Sequence, residues 1–104
     1  MIGRWRVVRI NGRSMEPTLQ DGDLAIGRGP SRFRPLQAGD VVLVNRPGIG
    51  LTVKRLTPAG EGRFGLVGDG GGSMPSVDLG QVGPDDVLTR FHWRLRRGRL
   101  AKIS

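Results

Sequence analysis

The sequence predicts an all-β domain: a bent sheet or partial barrel of short strands, with at most one or two short helical turns. Two observations carry that expectation. Apolar residues recur in short runs, several alternating with polar ones at the two-residue period of a half-buried strand. The 18 glycines and 7 prolines make up close to a quarter of the 104 residues, and both penalise helix interiors. A chain of this length fits one domain, expected over residues 1–104, with a single modest core.

In order along the chain, residues 5–10 (WRVVRI) alternate arginine with apolar side chains and read as a strand. Residues 14–19 have the length of one helical turn, with Ser14 near its start. Residues 24–28 follow an Asp-Gly-Asp turn, and residues 29–37 read as a basic, proline-containing loop. Residues 40–45 (DVVLVN) open after Ala38-Gly39 and stop before Arg46-Pro47-Gly48. Residues 51–56 (LTVKRL) lie between Gly50 and Pro58, and residues 63–67 end at Gly68-Asp69. Residues 68–76 (GDGGGSMPS) read as a loop, and residues 87–95 (VLTRFHWRL) form the longest strand-like run.

Composition excludes several chemistries. With no cysteine there is no disulfide, thiolate metal site or cysteine nucleophile. A single histidine, His92, excludes a multi-histidine metal site within the chain, and no cofactor is expected. The net charge is +8, and arginine outnumbers lysine fifteen to two. Such a balance suits acidic partners, either nucleic acid or an anionic membrane surface. Five aromatic residues make stacking platforms sparse, so nucleic acid is the less expected of the two. The longest apolar run, Val41-Val42-Leu43-Val44, is far too short to cross a bilayer. No signal-peptide-like stretch opens the chain. The expected location is the cytoplasm, with peripheral contact to an anionic membrane as an option.

Nucleophiles are limited to five serines (14, 31, 73, 76, 104) and four threonines (18, 52, 57, 89). A serine needs a base. His92, in the run FHWR, reads as an ordinary strand residue, which argues against a histidine triad. Lysine is the other base that serves serine. On a strand, Lys54 shares a face with Thr52 and Leu56, and burial favours the neutral amine that could accept a proton. Taken alone, Lys54 reads as a surface lysine on a strand edge rather than a base, and Ser14 as a simple helix N-cap rather than a nucleophile. Gly12 permits a tight backbone approach beside Ser14. Backbone N–H groups at the start of a helical turn could stabilise an oxyanion.

Together these pieces are more specific. Gly12-Arg13-Ser14-Met15-Glu16-Pro17-Thr18-Leu19, followed by Asp21-Gly22-Asp23, resembles the nucleophile box of the signal peptidase I family. Gly39-Asp40-Val41-Val42, Val53-Lys54-Arg55-Leu56 and Gly68-Asp69 resemble three further boxes of that family, in the family's order. Residues 79–90 (LGQVGPDDVLTR) and Pro75-Ser76-Val77-Asp78 are similar to segments of the short, soluble proteases that mature nickel-type superoxide dismutase. The chain departs from the pattern at Gly70, where the family has asparagine, and at Pro75, where it has aspartate. At Gly12 some members carry a hydroxyl that serves the oxyanion hole.

The resemblance implies a signal-peptidase- or LexA-like fold and a serine endopeptidase with a Ser14–Lys54 dyad. It implies an oxyanion site at the Ser14 backbone beside Gly12, and a hydroxyl from Ser73 or Ser76 orienting the lysine. Substrate contacts would come from Met15 and Pro17, with Asp69 and Asp78 shaping the loop. The implied partner is a protein with an N-terminal leader, such as a nickel-type superoxide dismutase precursor. Two alternatives stand beside it: a LexA-type self-cleaving domain, and a non-enzymatic basic β module with Trp5, Trp93 and the arginine-rich end as its binding surface.

Overall fold

A computed structural model of the chain describes residues 4–31, 33–70 and 79–103. Seven strands make up its sheet: β1 (Trp5–Arg9), β2 (Leu24–Arg28), β3 (Val41–Arg46), β4 (Gly50–Pro58), β5 (Phe64–Val67), β6 (Val87–Arg96) and β7 (Arg99–Lys102). The only helical element among the described residues is a 3-10 turn at Pro84–Asp86. The strands run in the order β1-β2-β6-β3-β4-β5, with β7 also on β6, and every pair is antiparallel. The all-β expectation holds, and six strands fall within two residues of the predicted runs.

The seventh strand was not predicted, because the chain's end reads as an arginine-rich tail. Arg97 and Gly98, at φ 50° and 77°, make a two-residue hairpin that pairs Arg96 with Arg99. Positive φ at both central residues gives the twist that joins two strands tightly. Residues 14–19 do not become a helix. They form a turn in which the Leu19 N–H donates to the Met15 carbonyl at 2.9 Å and the Glu16 N–H to Arg13 at 3.1 Å.

β6 is the spine. One edge carries β2, while the other carries β3 along its first half and β7 along its second. Its partners skip one residue twice: Leu88 between the Leu43–Thr89 and Val44–Val87 pairs, and His92 between the Ile26–Trp93 and Gly27–Phe91 pairs. Each extra residue is a β-bulge, which bends the strand and sharpens its twist. β3 is buried on both faces, which explains its unbroken apolar run. Val41 and Leu43 join Ile10, Met15, Leu19, Ala25 and Phe91 in one core cluster. Val42 and Val44 join Leu56, Leu66, Val82 and Val87 in the other.

Candidate active site

The segment between β1 and β2 is a closed loop. The Ile10 N–H donates to the Asp23 carbonyl, and the Gly22 N–H donates back to Ile10, each at 2.8 Å. Met15 and Leu19, 1% and 0% exposed, anchor the loop in the first core cluster. Burying two such side chains contributes about 3–6 kcal/mol, enough to hold a loop without regular structure. At its far end, Asp23 is 2% exposed and accepts from Arg96 Nε and Nη2 at 2.9 and 2.8 Å and from the Gln20 N–H at 2.8 Å. The Arg96 hydrogen bond holds the Asp23 carboxyl below its ordinary range, against the opposing effect of burial. Arg94 adds a tether by donating to the Thr18 carbonyl at 2.8 Å.

So anchored, the loop exposes Ser14. Gly12 sits at φ 90°, a conformation glycine adopts without strain, and its N–H donates to Asp21 Oδ1 at 2.7 Å. The Ser14 N–H has no hydrogen-bond partner among the described residues. The Ser14 carbonyl accepts from the Gly70 N–H at 2.9 Å.

Lys54 comes from the other side. It is half-buried on β4, opposite Val42 of β3. The β4–β5 register ends with Arg55 opposite Val67, and one further step places Gly68 beside Lys54. Gly68 is the meeting point of the two candidate residues. A Cβ built there would collide with the Ser14 carbonyl oxygen and would lie 3.3 Å from the Ser14 carbonyl carbon and 3.4 Å from Lys54 Nζ. The serine and the lysine, forty residues apart in sequence, thus share one glycine as their common neighbour. Among the described residues, no hydrogen bond joins the Ser14 hydroxyl or the Lys54 amine to any group.

A charged cluster behind this point fixes the geometry. Arg55 Nε donates to Asp69 Oδ1 at 2.8 Å and its Nη2 to Oδ2 at 2.6 Å, a two-pronged pair with both side chains largely buried. The Thr18 hydroxyl donates to Asp69 Oδ2 at 2.6 Å, and Arg55 Nη1 donates to the Gly39 carbonyl at 2.6 Å. The Arg55 hydrogen bond pulls the Asp69 carboxyl below the usual carboxylate range, the Thr18 hydroxyl adds to that, and burial opposes both. Arg55 is raised in turn, chiefly by its hydrogen bond to Asp69. Three separate segments — the Ser14 loop through Thr18, β4 through Arg55 and the 68–70 turn through Asp69 — are locked at one junction.

The remaining expected site residues fall variously. Pro17 is exposed on the loop, whereas the Met15 side chain faces the core and serves as an anchor rather than a contact surface. Ser73, Ser76 and Asp78 lie outside the described residues. Gly68, Arg55 and Thr18 acquire roles that their sequence context marked only as members of short motifs. The described residues hold no group of three or more histidine, aspartate or glutamate side chains suited to a metal ion. No described helix is long and apolar enough to cross a membrane.

A family model described as Peptidase S24-like matches residues 3–69, a stretch that includes Ser14, Lys54 and Asp69. No curated protein and no solved structure matches the chain.

Proposed function

Because the chain belongs to the Peptidase S24-like family, we propose that it is a serine endopeptidase with Ser14 as nucleophile and Lys54 as general base. The observation that carries this reading is the approach of the Ser14 backbone and the Lys54 amine to the same point beside Gly68. In the proposed reaction the neutral Lys54 amine takes the Ser14 hydroxyl proton as Oγ attacks the substrate carbonyl. Negative charge builds on the carbonyl oxygen, and the Ser14 N–H, which has no partner among the described residues, is the donor for it. The ammonium formed on Lys54 returns its proton to the leaving amine. Water, deprotonated by the same amine, then releases the acyl group from Ser14.

The substrate would bind as an extended chain. Along Leu51–Val53 the outer edge of β4 carries no pairing among the described residues, since β5 begins its register at Arg55. A peptide adding there as a strand would run directly toward Lys54. The substrate class we propose is a protein with an N-terminal leader. The similarity of residues 79–90 to nickel-type superoxide dismutase maturation proteases points to such a precursor. The family match favours a second reading, cleavage of the chain by its own dyad as in LexA-type domains.

Purified protein incubated with a precursor, and alone at raised pH, separates the two by mass spectrometry of the fragments. Cleaved precursor with an intact enzyme supports action on a separate protein, and fragments of the enzyme itself support self-cleavage. Ser14→Ala and Lys54→Met should each abolish both. Full activity in either variant would remove the dyad.

A further inference from the structure

A second concave site lies away from the Ser14–Lys54 junction. It is a cleft of about 550 Å³ walled by the β2–β3 loop, the middle of β6 and the end of β7. None of its lining residues belongs to the Ser14 loop, β4 or the 68–70 turn. Its cations come from three places in the chain: Arg34 from the loop, Arg90 from β6 and Lys102 from β7, with Asp40 as the one acid. Asp40 forms an ion pair with Arg90, and Arg34 and Lys102 have no acid partner among the described residues. Arg90 Nη1 donates to Asp40 Oδ2 at a long 3.4 Å and to the Pro35 carbonyl at 3.2 Å, and its buried Nε has no partner among the described residues.

The cations sit beside rings. Phe33, on the cleft wall, is 82% exposed. His92, the bulged residue of β6, also lines the cleft, and its ring meets Trp5 edge-on at 6.2 Å. Arg28 lies 5.1 Å over the Trp5 ring. Burial first, and then the charges of Arg90, Arg28 and Arg34, hold His92 below its ordinary range.

We propose that this cleft binds single-stranded nucleic acid, with backbone phosphates against Arg34, Arg90 and Lys102 and a base against Phe33. The low aromatic count argues against such a partner only while the rings are taken as scattered; the fold sets Phe33 and His92 in one cleft with Arg34, Arg90 and Lys102, and Trp5 meets His92. The chain's net charge of +8 suits a polyanion. An unpaired strand can enter a concavity and offer both phosphates and base faces. A duplex hides its faces, and a membrane presents a flat sheet of charge to a site whose cations line a hollow.

The test is fluorescence anisotropy of a labelled oligothymidylate of about ten nucleotides, titrated with the full chain at several salt concentrations. Three phosphate contacts predict a slope of log affinity against log salt of about −2. Phe33→Ala should weaken binding about tenfold, as loss of one stacking partner does, and leave that slope unchanged. The double variant Arg34→Ala, Lys102→Ala should weaken binding and flatten the slope by about 1.4. Arg63→Ala, which removes a charge outside the cleft, should do neither. Ser14→Ala should bind as the parent does. Equal losses from Arg63→Ala and the double variant would overturn the proposal, since net charge alone would then explain binding. So would indifference to Phe33→Ala, or stronger competition by duplex DNA or by phosphatidylglycerol vesicles than by unlabelled single strand.

Discussion

Gly68 is the residue on which the candidate active site turns. Its φ lies outside the left-handed region, so nothing in its backbone demands glycine. The demand is steric: any side chain would enter the space between the Ser14 carbonyl and Lys54 Nζ. Gly68→Ala should therefore fold, at a cost of about 1–3 kcal/mol for the overpacking. Activity should suffer far more, because moving a nucleophile by about 1 Å relative to its base costs about a hundredfold. Thermal unfolding and acylation of Ser14 by a mechanism-based inhibitor read the two effects separately. Acylation at the parental rate would mean that Gly68 does not set the spacing of Ser14 and Lys54.

At the scale of elements, β6 decides how the sheet bends, and β2 meets it closely at the second bulge. A Cβ on Gly27 would overlap the Arg90 carbonyl oxygen and lie 2.7 Å from the Phe91 Cα. Both are backbone atoms of a strand paired on both edges, so they cannot yield as a flexible side chain would. Gly27→Ala should cost about 3 kcal/mol or more, a large share of the stability of a domain this size. Urea unfolding measures it directly, and a cost under about 1 kcal/mol would show that β2 and β6 can separate there. The bulges also re-aim side chains. Leu88 turns outward at 40% exposure, and His92 turns toward Trp5 and the basic cleft.

For the whole molecule, three depressed ionisations act in one direction. Asp23 and Asp69 are held below the ordinary carboxylate range by Arg96 and Arg55 respectively. Each carboxylate adds stability above its unfolded pKa and loses it as pH falls through the folded value. His92 is depressed by burial and its arginine neighbours, so its contribution is complete above its unfolded pKa and declines on acidification. The protein should be most stable near neutral pH. It should weaken gently from about pH 6.5 and steeply below about pH 4. Urea midpoints across that range test this. Asp23→Asn should lower stability at pH 7 and flatten the acid limb, and an unchanged acid limb would remove Asp23 from the account.

The strands, the motifs around Ser14 and Lys54 and the lack of long helices among the described residues are legible in the sequence because each depends on neighbours in the chain. Alternation marks WRVVRI, the continuous run VVLV marks a strand buried on both faces, and Ser-Met-Glu-Pro-Thr-Leu and Lys-Arg mark the motifs. The hairpin to β7 was hidden because Arg97-Gly98 is not a customary two-residue turn. The approach of Ser14 to Lys54 and the Thr18–Asp69–Arg55 lock join residues 14 to 51 positions apart. The basic cleft likewise draws on residues 33–41, 90–92 and 102–103. No local pattern encodes these meetings. They follow from strand order and register, which depend on packing β3 and β6 into two cores at once.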